Sequence, residues 1–267
     1  MIKLIASDLD GTLLDDKKRL PKDFFEVLGK LNERGIHFAV SSGRTFGAVG
    51  HLFPEEYRGK MDFICDNGAC ILLGGKLTKV YELERGVFEA LLSACEEIGD
   101  MRILVCAQSG TYHLSYDSEI DAEVAKYYKK HIVKHDLRSI DETIYKIAVC
   151  DRRGTMEHGK PALDSIFGDK LNVQASGEVW MDVMAAGINK GAALTGLREA
   201  LGITKEETMA FGDYFNDVEM LSAAGWSFCM ENGHEDVKKL CRYIADSNNE
   251  GGVTKAIRQY ALGEFTV

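Results

Sequence analysis

Short apolar runs alternate with stretches of helical periodicity in the first and last thirds of this chain, and that alternation restricts its fold most. The first run, KLIASD, predicts a buried strand, and the next stretch places Phe24, Val27, Leu28 and Leu31 on one helical face. Because β and α segments follow one another in turn, the sequence predicts a parallel α/β sheet rather than an all-α or all-β domain.

The remaining segments of these two thirds follow the same pattern. Strands are predicted at IHFAVSSG, DFICD and ETMAFGD, and helices at NKGAALTGLREALG, VEMLSAAG and EDVKKLCRYI. We therefore expect residues 1–82 and 184–267 to form one α/β unit.

The middle third, residues 83–183, has a different order and predicts an inserted α+β domain with short hinges near 82 and 184. Helices are predicted at VFEALLSACEEI, at DAEVAKYYKKH and after Pro161, and strands at RILVCAQ, TYHLSYD, IYKIAVCD, LNVQAS and EVWMDVM. The period-two alternation in TYHLSYD and EVWMDVM favours an antiparallel sheet with one packed face and one face free for a ligand.

Composition narrows the possible partners of the chain. With 32 Lys and Arg against 42 Asp and Glu, its net charge of -10 disfavours non-specific binding to nucleic acid or to an anionic membrane. No apolar run reaches the length of a membrane span, and the N-terminus runs straight into charge, so we expect a cytoplasmic protein. The sequence leaves the oligomeric state open.

The seven cysteines are an odd number and are scattered through apolar segments. This favours reduced thiols in the core over disulfides. Cys65 and Cys70 lack the CxxC spacing of a zinc site, so zinc is not expected there.

Asp8 lies at the end of the first predicted strand and Asp10 just after it, at the edge where open α/β sheets bind ligands. An Asp-Gly turn is the simplest interpretation of this pair. A calcium loop starting at Asp8 is excluded, because its sixth and twelfth positions are Leu13 and Arg19. A lone phospho-acceptor aspartate of a receiver domain stays possible from Asp8 alone.

Further polar residues lie at the ends of other predicted elements, namely Ser42 and Asp213 after strands and Lys190 at a helix start. Asn216 and Asp217 follow Asp213 closely. Each has an ordinary interpretation by itself: a helix cap, a solvated charge or an acidic turn. Taken together, they predict one site at one edge of the sheet.

DLDGTLL, SSGR, NKG and GDYFNDVEML, in that order, resemble the four motifs of the haloacid dehalogenase-like phosphatase superfamily. The resemblance covers the whole chain, because the long insertion resembles the large cap of the Cof-type branch, and DNGA is also typical of that branch. Ser42 stands where many members have threonine, so the hydroxyl is retained. The resemblance implies a Rossmann-like parallel-sheet core with helices on both faces and an inserted α+β cap domain.

The resemblance also assigns chemistry to these residues. It implies Mg²⁺ bound by the carboxylates of Asp8 and Asp213 and the backbone carbonyl of Asp10, with Asp217 orienting water ligands. Asp8 is then the nucleophile that forms an aspartyl-phosphate, and Asp10 is the general acid and base. The phosphate-binding residues implied are Ser42, Gly43, Lys190 and Asn216.

The resemblance implies a small phosphorylated metabolite, such as a sugar phosphate, as the substrate, and a cap that closes over it. Candidate substrate contacts are Arg44, Asn67, Tyr112, His113, Trp180 and Asp182. The ordinary interpretation of Tyr112 and Trp180 is that they pack in the core. The ordinary interpretation of His113 is that it has a structural role. A phosphomutase of the same superfamily and a non-enzymatic phosphosugar-binding or receiver-like protein stay as alternatives; release of inorganic phosphate distinguishes the mutase.

Overall fold

The apolar runs of the first and last thirds form one eight-stranded sheet in a computed structural model that describes residues 1–107, 109–115, 118–128 and 131–264. The chain divides into two compact units. The first contains Met1–Val49, Phe53–Lys79 and the segment from Asn189 onward, and the second contains Gly50–Leu52 and Val80–Ile188.

The sheet of the first unit has the strand order β14-β13-β12-β1-β2-β3-β4-β5. Its strands are β1 Leu4–Asp8, β2 His37–Ser41, β3 Asp62–Cys65, β4 Cys70–Leu73, β5 Lys76–Val80, β12 Thr208–Gly212, β13 Trp226–Met230 and β14 Tyr243–Ala245. From β14 to β3 all neighbours are parallel, whereas β4 runs antiparallel to β3. The sheet is therefore mixed, and the prediction of a parallel core sheet holds for six of its eight strands.

The central strands β1 and β12 are buried along their whole length, which agrees with their continuous apolar sequence. The described helices of this unit are α1 Phe24–Glu33, α2 Phe46–Gly50, α3 Glu55–Arg58, α7 Lys190–Leu201, α8 Val218–Ser222, α9 Glu235–Lys238 and α10 Gly252–Ala256. The predicted face of α1 is correct, because Phe24, Val27, Leu28 and Leu31 are all buried. This is the α/β architecture that the sequence predicts.

The second unit contains a six-stranded sheet with the order β10-β11-β9-β6-β7-β8. Its strands are β6 Met101–Ala107, β7 Gly110–His113, β8 His131–Val133, β9 Ile144–Asp151, β10 Leu171–Ala175 and β11 Trp180–Ala185, and its described helices are α4 Arg85–Ile98, α5 Ser118–Tyr127 and α6 Lys160–Phe167. Neighbouring strands in this sheet pair antiparallel, except that β7 and β8 pair parallel. Side chains of α4 and α6 pack in one apolar cluster with the sheet, and side chains of α5 pack in another.

Two predicted helices are wrong at their C-terminal ends. EDVKKLCRYI is helical only over Glu235–Lys238, and Tyr243–Ala245 forms β14, where Tyr243 stacks on Phe228 of β13 with ring centroids 4.8 Å apart. DAEVAKYYKKH was predicted as a helix through His131, but that residue begins strand β8. In both cases pairing with a neighbouring strand overrides local helical propensity. Predicted segments also include positions 108, 116, 117, 129 and 130, which lie outside the described residues.

The hairpin of β4 and β5 was not predicted. Its strands are joined by Gly74 and Gly75, which have φ of +53° and +72°. Two successive residues with positive φ are what a type I′ hairpin turn requires, so the Gly-Gly pair between the apolar run CILL and the alternating run KLTKV was a usable signal. No described helix is both long and apolar enough to cross a bilayer.

The start of helix α7 lies unusually close to helix α8. A Cβ atom added to Gly191, the second residue of α7, would lie 2.4 Å from the backbone carbonyl of Glu219. Only glycine therefore permits this approach without a backbone shift. The contact fixes α7 against the segment that follows β12.

We expect Gly191→Ala to destabilise the fold by about 1–3 kcal/mol, because the added methyl group overpacks a backbone contact that cannot relax cheaply. Gly29→Ala is the matched control, since Gly29 is also helical and a Cβ there meets nothing within 4 Å. It should be neutral or stabilising. Urea denaturation of both variants measures the difference, and equal unfolding free energies would refute the close-contact argument.

Candidate active site

Acidic residues from distant parts of the sequence meet at the carboxyl edge of the first unit's sheet. Asp8 ends β1, and Asp213 directly follows β12, which is the parallel neighbour of β1. Carboxylate oxygens of Asp8, Asp213 and Asp217 all lie within 4.8 Å of one another. The expected convergence of these three side chains is therefore present in the structure.

The ammonium group of Lys190 lies between two of these carboxylates. Its Nζ atom is 2.5 Å from Asp8 Oδ1 and 2.6 Å from Asp217 Oδ1, and its side chain is completely buried. Lys190 is the first residue of α7, whose N-cap Asn189 accepts a hydrogen bond from the Ala192 N–H at 2.8 Å. The cap fixes the helix start, and the helix start directs the lysine.

The loop after β12 holds its own carboxylates in place. Asp217 Oδ2 accepts hydrogen bonds from the backbone N–H groups of Asp213 at 3.0 Å and Tyr214 at 3.2 Å. The Thr12 hydroxyl donates to Asp213 Oδ1 at 2.7 Å. Thr12 was not among the predicted site residues, although it belongs to the DLDGT motif. Thr12 contacts only Oδ1 of Asp213, and Oδ2 of Asp213 has no hydrogen-bond partner among the described residues.

Burial and mutual repulsion shift the protonation of this cluster. Desolvation by burial raises the pKa of Asp8 to about 8. The positive charge of Lys190 opposes this rise, whereas the negative charges of Asp217 and Asp213 add to it. Desolvation also raises the pKa of Asp213 to about 6, against the hydrogen bond from Thr12. Burial acts to lower the pKa of Lys190, but the carboxylates of Asp217 and Asp8 outweigh it, so that pKa is raised and the ammonium stays charged.

The donor set of this cluster fits a hard divalent cation. The cluster contains three carboxylates and one ammonium group, so in its fully ionised form it carries an excess of negative charge. Carboxylate oxygens are the ligands that Mg²⁺ prefers. A bound cation would lower the raised pKa values of Asp8 and Asp213, because it would stabilise their ionised forms. The side chains of Asp8 and Asp213 are the candidate ligands, since both oxygens of Asp217 already have partners.

The side chain of Asp10 is not part of the acidic cluster. Its Oδ1 atom is 2.6 Å from Nη2 of Arg44 and 2.8 Å from Nζ of Lys18. Arg44 was predicted as a substrate contact, and the structure places it on Asp10 instead of leaving it unpaired. Lys18 was missed, because a lysine in the charged stretch after the first motif has no distinguishing pattern in the sequence.

Ser42 and Gly43, which are predicted to bind phosphate, lie together in the first unit with Asn67, which is predicted as a substrate contact. Ser42 is buried, and its Oγ atom accepts a hydrogen bond from the Arg44 N–H at 3.2 Å. The Asn67 N–H donates to the Ser42 carbonyl at 3.1 Å, and the Asn67 side chain lies against Gly43. Asn216 is half-buried, and its side chain makes no hydrogen bond to another described residue.

The other four predicted substrate contacts belong to the second unit, and all four are wholly or largely buried there. Tyr112 packs in the larger apolar cluster and donates a hydrogen bond to Glu142, and Trp180 packs against the smaller cluster. His113 Nε2 is 3.0 Å from Nδ1 of His131. Asp182 Oδ1 is 3.6 Å from Nζ of Lys146. Their substrate roles stay predictions.

A family model described as haloacid dehalogenase-like hydrolase matches residues 5–257. The chain belongs to this family. The predicted family is therefore confirmed, and so is the enzyme class, because named phosphatases are among its relatives.

Two curated relatives and one solved structure illustrate the similarity of this haloacid dehalogenase-like hydrolase to known proteins. The 5-amino-6-(5-phospho-D-ribitylamino)uracil phosphatase YbjI of Escherichia coli is 30% identical over 96% of this chain and 95% of its own. The 5-amino-6-(5-phospho-D-ribitylamino)uracil phosphatase YcsE of Bacillus subtilis is 29% identical over 98% of this chain and 96% of its own. The crystal structure of SMU.1108c from Streptococcus mutans has a TM-score of 0.88 and 27% identity over 98% of this chain and 100% of its own.

We expect Lys190→Met to lower the unfolding free energy by about 3–5 kcal/mol above pH 8, because it leaves ionised, buried carboxylates without their cation. Lys190 acts to lower the pKa of Asp8, which is about 8 in the wild type, so this pKa rises further when the lysine is removed. The variant therefore takes up a proton at a higher pH than the wild type does, and the loss should shrink as the pH falls toward 8.

Denaturation curves at several pH values measure this effect, and Lys22→Met, at an exposed lysine, is the control. A loss that is independent of pH would contradict the proposed charge imbalance.

Proposed function

We propose that this haloacid dehalogenase-like phosphatase hydrolyses phosphate monoesters of small metabolites, sugar phosphates or similar compounds, with Mg²⁺ and through an aspartyl-phosphate on Asp8. The observation that carries the proposal is the buried contact of Lys190 with Asp8 and Asp217, beside Asp213. It supplies a fixed positive charge next to a carboxylate at the end of a central strand. A nucleophilic carboxylate needs such charge, because its target is itself an anion.

Asp8 is the nucleophile in this proposal. One of its oxygens attacks phosphorus, and the ester bond to the leaving group breaks. Lys190 fixes Oδ1 of Asp8 and offsets negative charge on the transferred group. A bound Mg²⁺, held by Asp8 and Asp213, would screen the phosphate from the carboxylate and lower the barrier to attack.

Asp10 moves the proton. It gives a proton to the leaving alkoxide as the ester bond breaks, and then accepts one from the water that hydrolyses the aspartyl-phosphate. Asp8 and Asp10 lie in different surroundings, since Asp8 is buried beside Lys190 whereas about a third of the Asp10 side chain is exposed. Two neighbouring carboxylates can thus serve different tasks. Ser42, Gly43 and Asn216 are the proposed further donors to phosphoryl oxygens.

The substrate proposal is a phosphorylated polyhydroxy chain. YbjI and YcsE are phosphatases for a uracil that carries a phosphorylated ribityl chain, which is a sugar-alcohol phosphate. A hydrolase family and phosphatase relatives favour release of inorganic phosphate over transfer to a sugar hydroxyl or simple binding. The seven cysteines are free, and six are buried, which supports action in the reducing cytoplasm.

We expect Asp8→Asn to abolish phosphate release from every ester that the wild type hydrolyses, because the amide keeps the shape but removes the nucleophile. A screen of phosphorylated metabolites, 5-amino-6-(5-phospho-D-ribitylamino)uracil among them, with and without Mg²⁺, tests this. Asp169→Asn, at an exposed position of the second unit, is the control for an unchanged fold. Appreciable turnover by Asp8→Asn would refute covalent catalysis.

We expect Mg²⁺ to bind more tightly as the pH rises to about 8, and to release protons when it binds below that pH. The reason is that metal ligands must be deprotonated, while the pKa values of Asp8 and Asp213 are raised to about 8 and about 6.

Titration calorimetry near pH 6 and near pH 9, each in two buffers of different ionisation enthalpy, measures both the affinity and the proton release. Asp213→Asn should weaken binding at either pH. Equal affinities at the two pH values would contradict the assignment of these carboxylates as ligands.

A further inference from the structure

Both cationic partners of Asp10 contact the same oxygen atom. Arg44 Nη2 and Lys18 Nζ lie 2.6 Å and 2.8 Å from Oδ1, and Oδ2 has no hydrogen-bond partner among the described residues. Two donors on one oxygen fix the rotation of a carboxylate about its χ angles and leave its other oxygen free to exchange a proton. The side chain of Asp10 is thus oriented, although it is partly exposed.

Lys18 reaches Asp10 because of an unusual turn. Its φ is +59°, a left-handed conformation that residues other than glycine adopt rarely. The Lys18 N–H donates to the Asp15 carbonyl at 2.8 Å, and the Arg19 N–H donates to Asp15 Oδ1 at 2.8 Å. Such a conformation persists only where the surrounding structure imposes it.

The surrounding structure here is a pair of asparagines that follow strand β14. Asn248 is buried, and its Nδ2 atom donates to the Leu14 carbonyl at 3.0 Å and to Asp16 Oδ1 at 3.1 Å. Asn249 exchanges two hydrogen bonds with Asp16, donating from Nδ2 to Oδ2 at 2.9 Å and accepting from the Asp16 N–H at 3.2 Å. The turn that carries Lys18 is therefore held from outside its own segment.

We propose that Lys18 is a positioning residue for Asp10, holding Oδ1 together with Arg44 so that Oδ2 is presented for proton transfer. The inference rests on the proposed function, in which Asp10 is the general acid and base. In the first step the proton on Oδ2 passes to the leaving oxygen as its bond to phosphorus breaks. In the second step a water proton passes to Oδ2 as the water oxygen bonds to phosphorus and the Asp8 carboxylate is released.

The test compares two esters whose leaving groups differ in their need for a proton. A sugar-alcohol phosphate expels an alkoxide that must be protonated, whereas p-nitrophenyl phosphate expels a stable phenolate. The measured quantity is kcat/KM, which reports the reaction up to the first irreversible step, taken here as leaving-group departure. Met is a suitable replacement for Lys18, because the two side chains have a similar length. As a residue other than glycine, Met also incurs the same backbone strain as Lys at a φ of +59°.

We expect Lys18→Met to lower kcat/KM for the sugar-alcohol phosphate by about twofold to fivefold, the range that an exposed ion pair supports. The value for p-nitrophenyl phosphate should stay unchanged. Lys18→Arg should restore most of the loss, since it keeps a cation at that position. Lys17→Met is the matched control, because Lys17 is the exposed neighbouring lysine and no described group pairs with its ammonium.

Equal losses on the two esters, no loss on either ester, or the same loss in Lys17→Met would each overturn the positioning role. Asp10→Asn separates this failure from failure of the proposed function. If Asp10→Asn lowers turnover of the sugar-alcohol phosphate by at least about 10²-fold, Asp10 is the acid, and only the role of Lys18 is at issue. If Asp10→Asn has no effect, the proposed function of Asp10 is wrong, and the inference falls with it.

Discussion

The buried ammonium of Lys190 is the interaction on which the site depends. It contacts Asp8 and Asp217 at 2.5 Å and 2.6 Å, and it makes the close approach of these buried carboxylates possible. Without a cation, three adjacent carboxylates would repel one another or take up protons. One lysine does not balance three carboxylates, which is the physical reason why the pKa values of Asp8 and Asp213 are raised and why a divalent cation fits the site.

The position of Lys190 is set by contacts of the neighbouring residues Asn189 and Gly191 at the start of helix α7. Asn189 caps helix α7, and Gly191 allows its first turn to approach Glu219 at a distance that a Cβ atom would prevent. The parallel pairing of β1 with β12 then brings Asp8 and the loop from Asp213 to the same edge. Stability and the electrostatic design of the site therefore rest on the same few contacts.

Asp8 and Asp10 are two residues apart and have different environments, which follows from their positions on the strand and in the loop. Asp8 still belongs to β1 and is buried, whereas Asp10 lies beyond its end and meets Arg44 and Lys18. The contact with Lys18 depends on Asn248, far along the chain, which holds the turn that carries this lysine. A separate set of residues thus orients each carboxylate, which allows different chemical roles for two similar side chains.

The sequence by itself determined the α/β class, the face of α1 and the residues that gather at the sheet edge, because hydrophobic periodicity and strand-end position are local properties. Tertiary structure decided what local patterns do not encode. Strand β14 replaced a predicted helical end because Tyr243 stacks on Phe228, and Lys18 met Asp10 because asparagines after β14 hold its turn. Contacts between residues distant in sequence depend on how the segments pack, and no local pattern of residues specifies that packing.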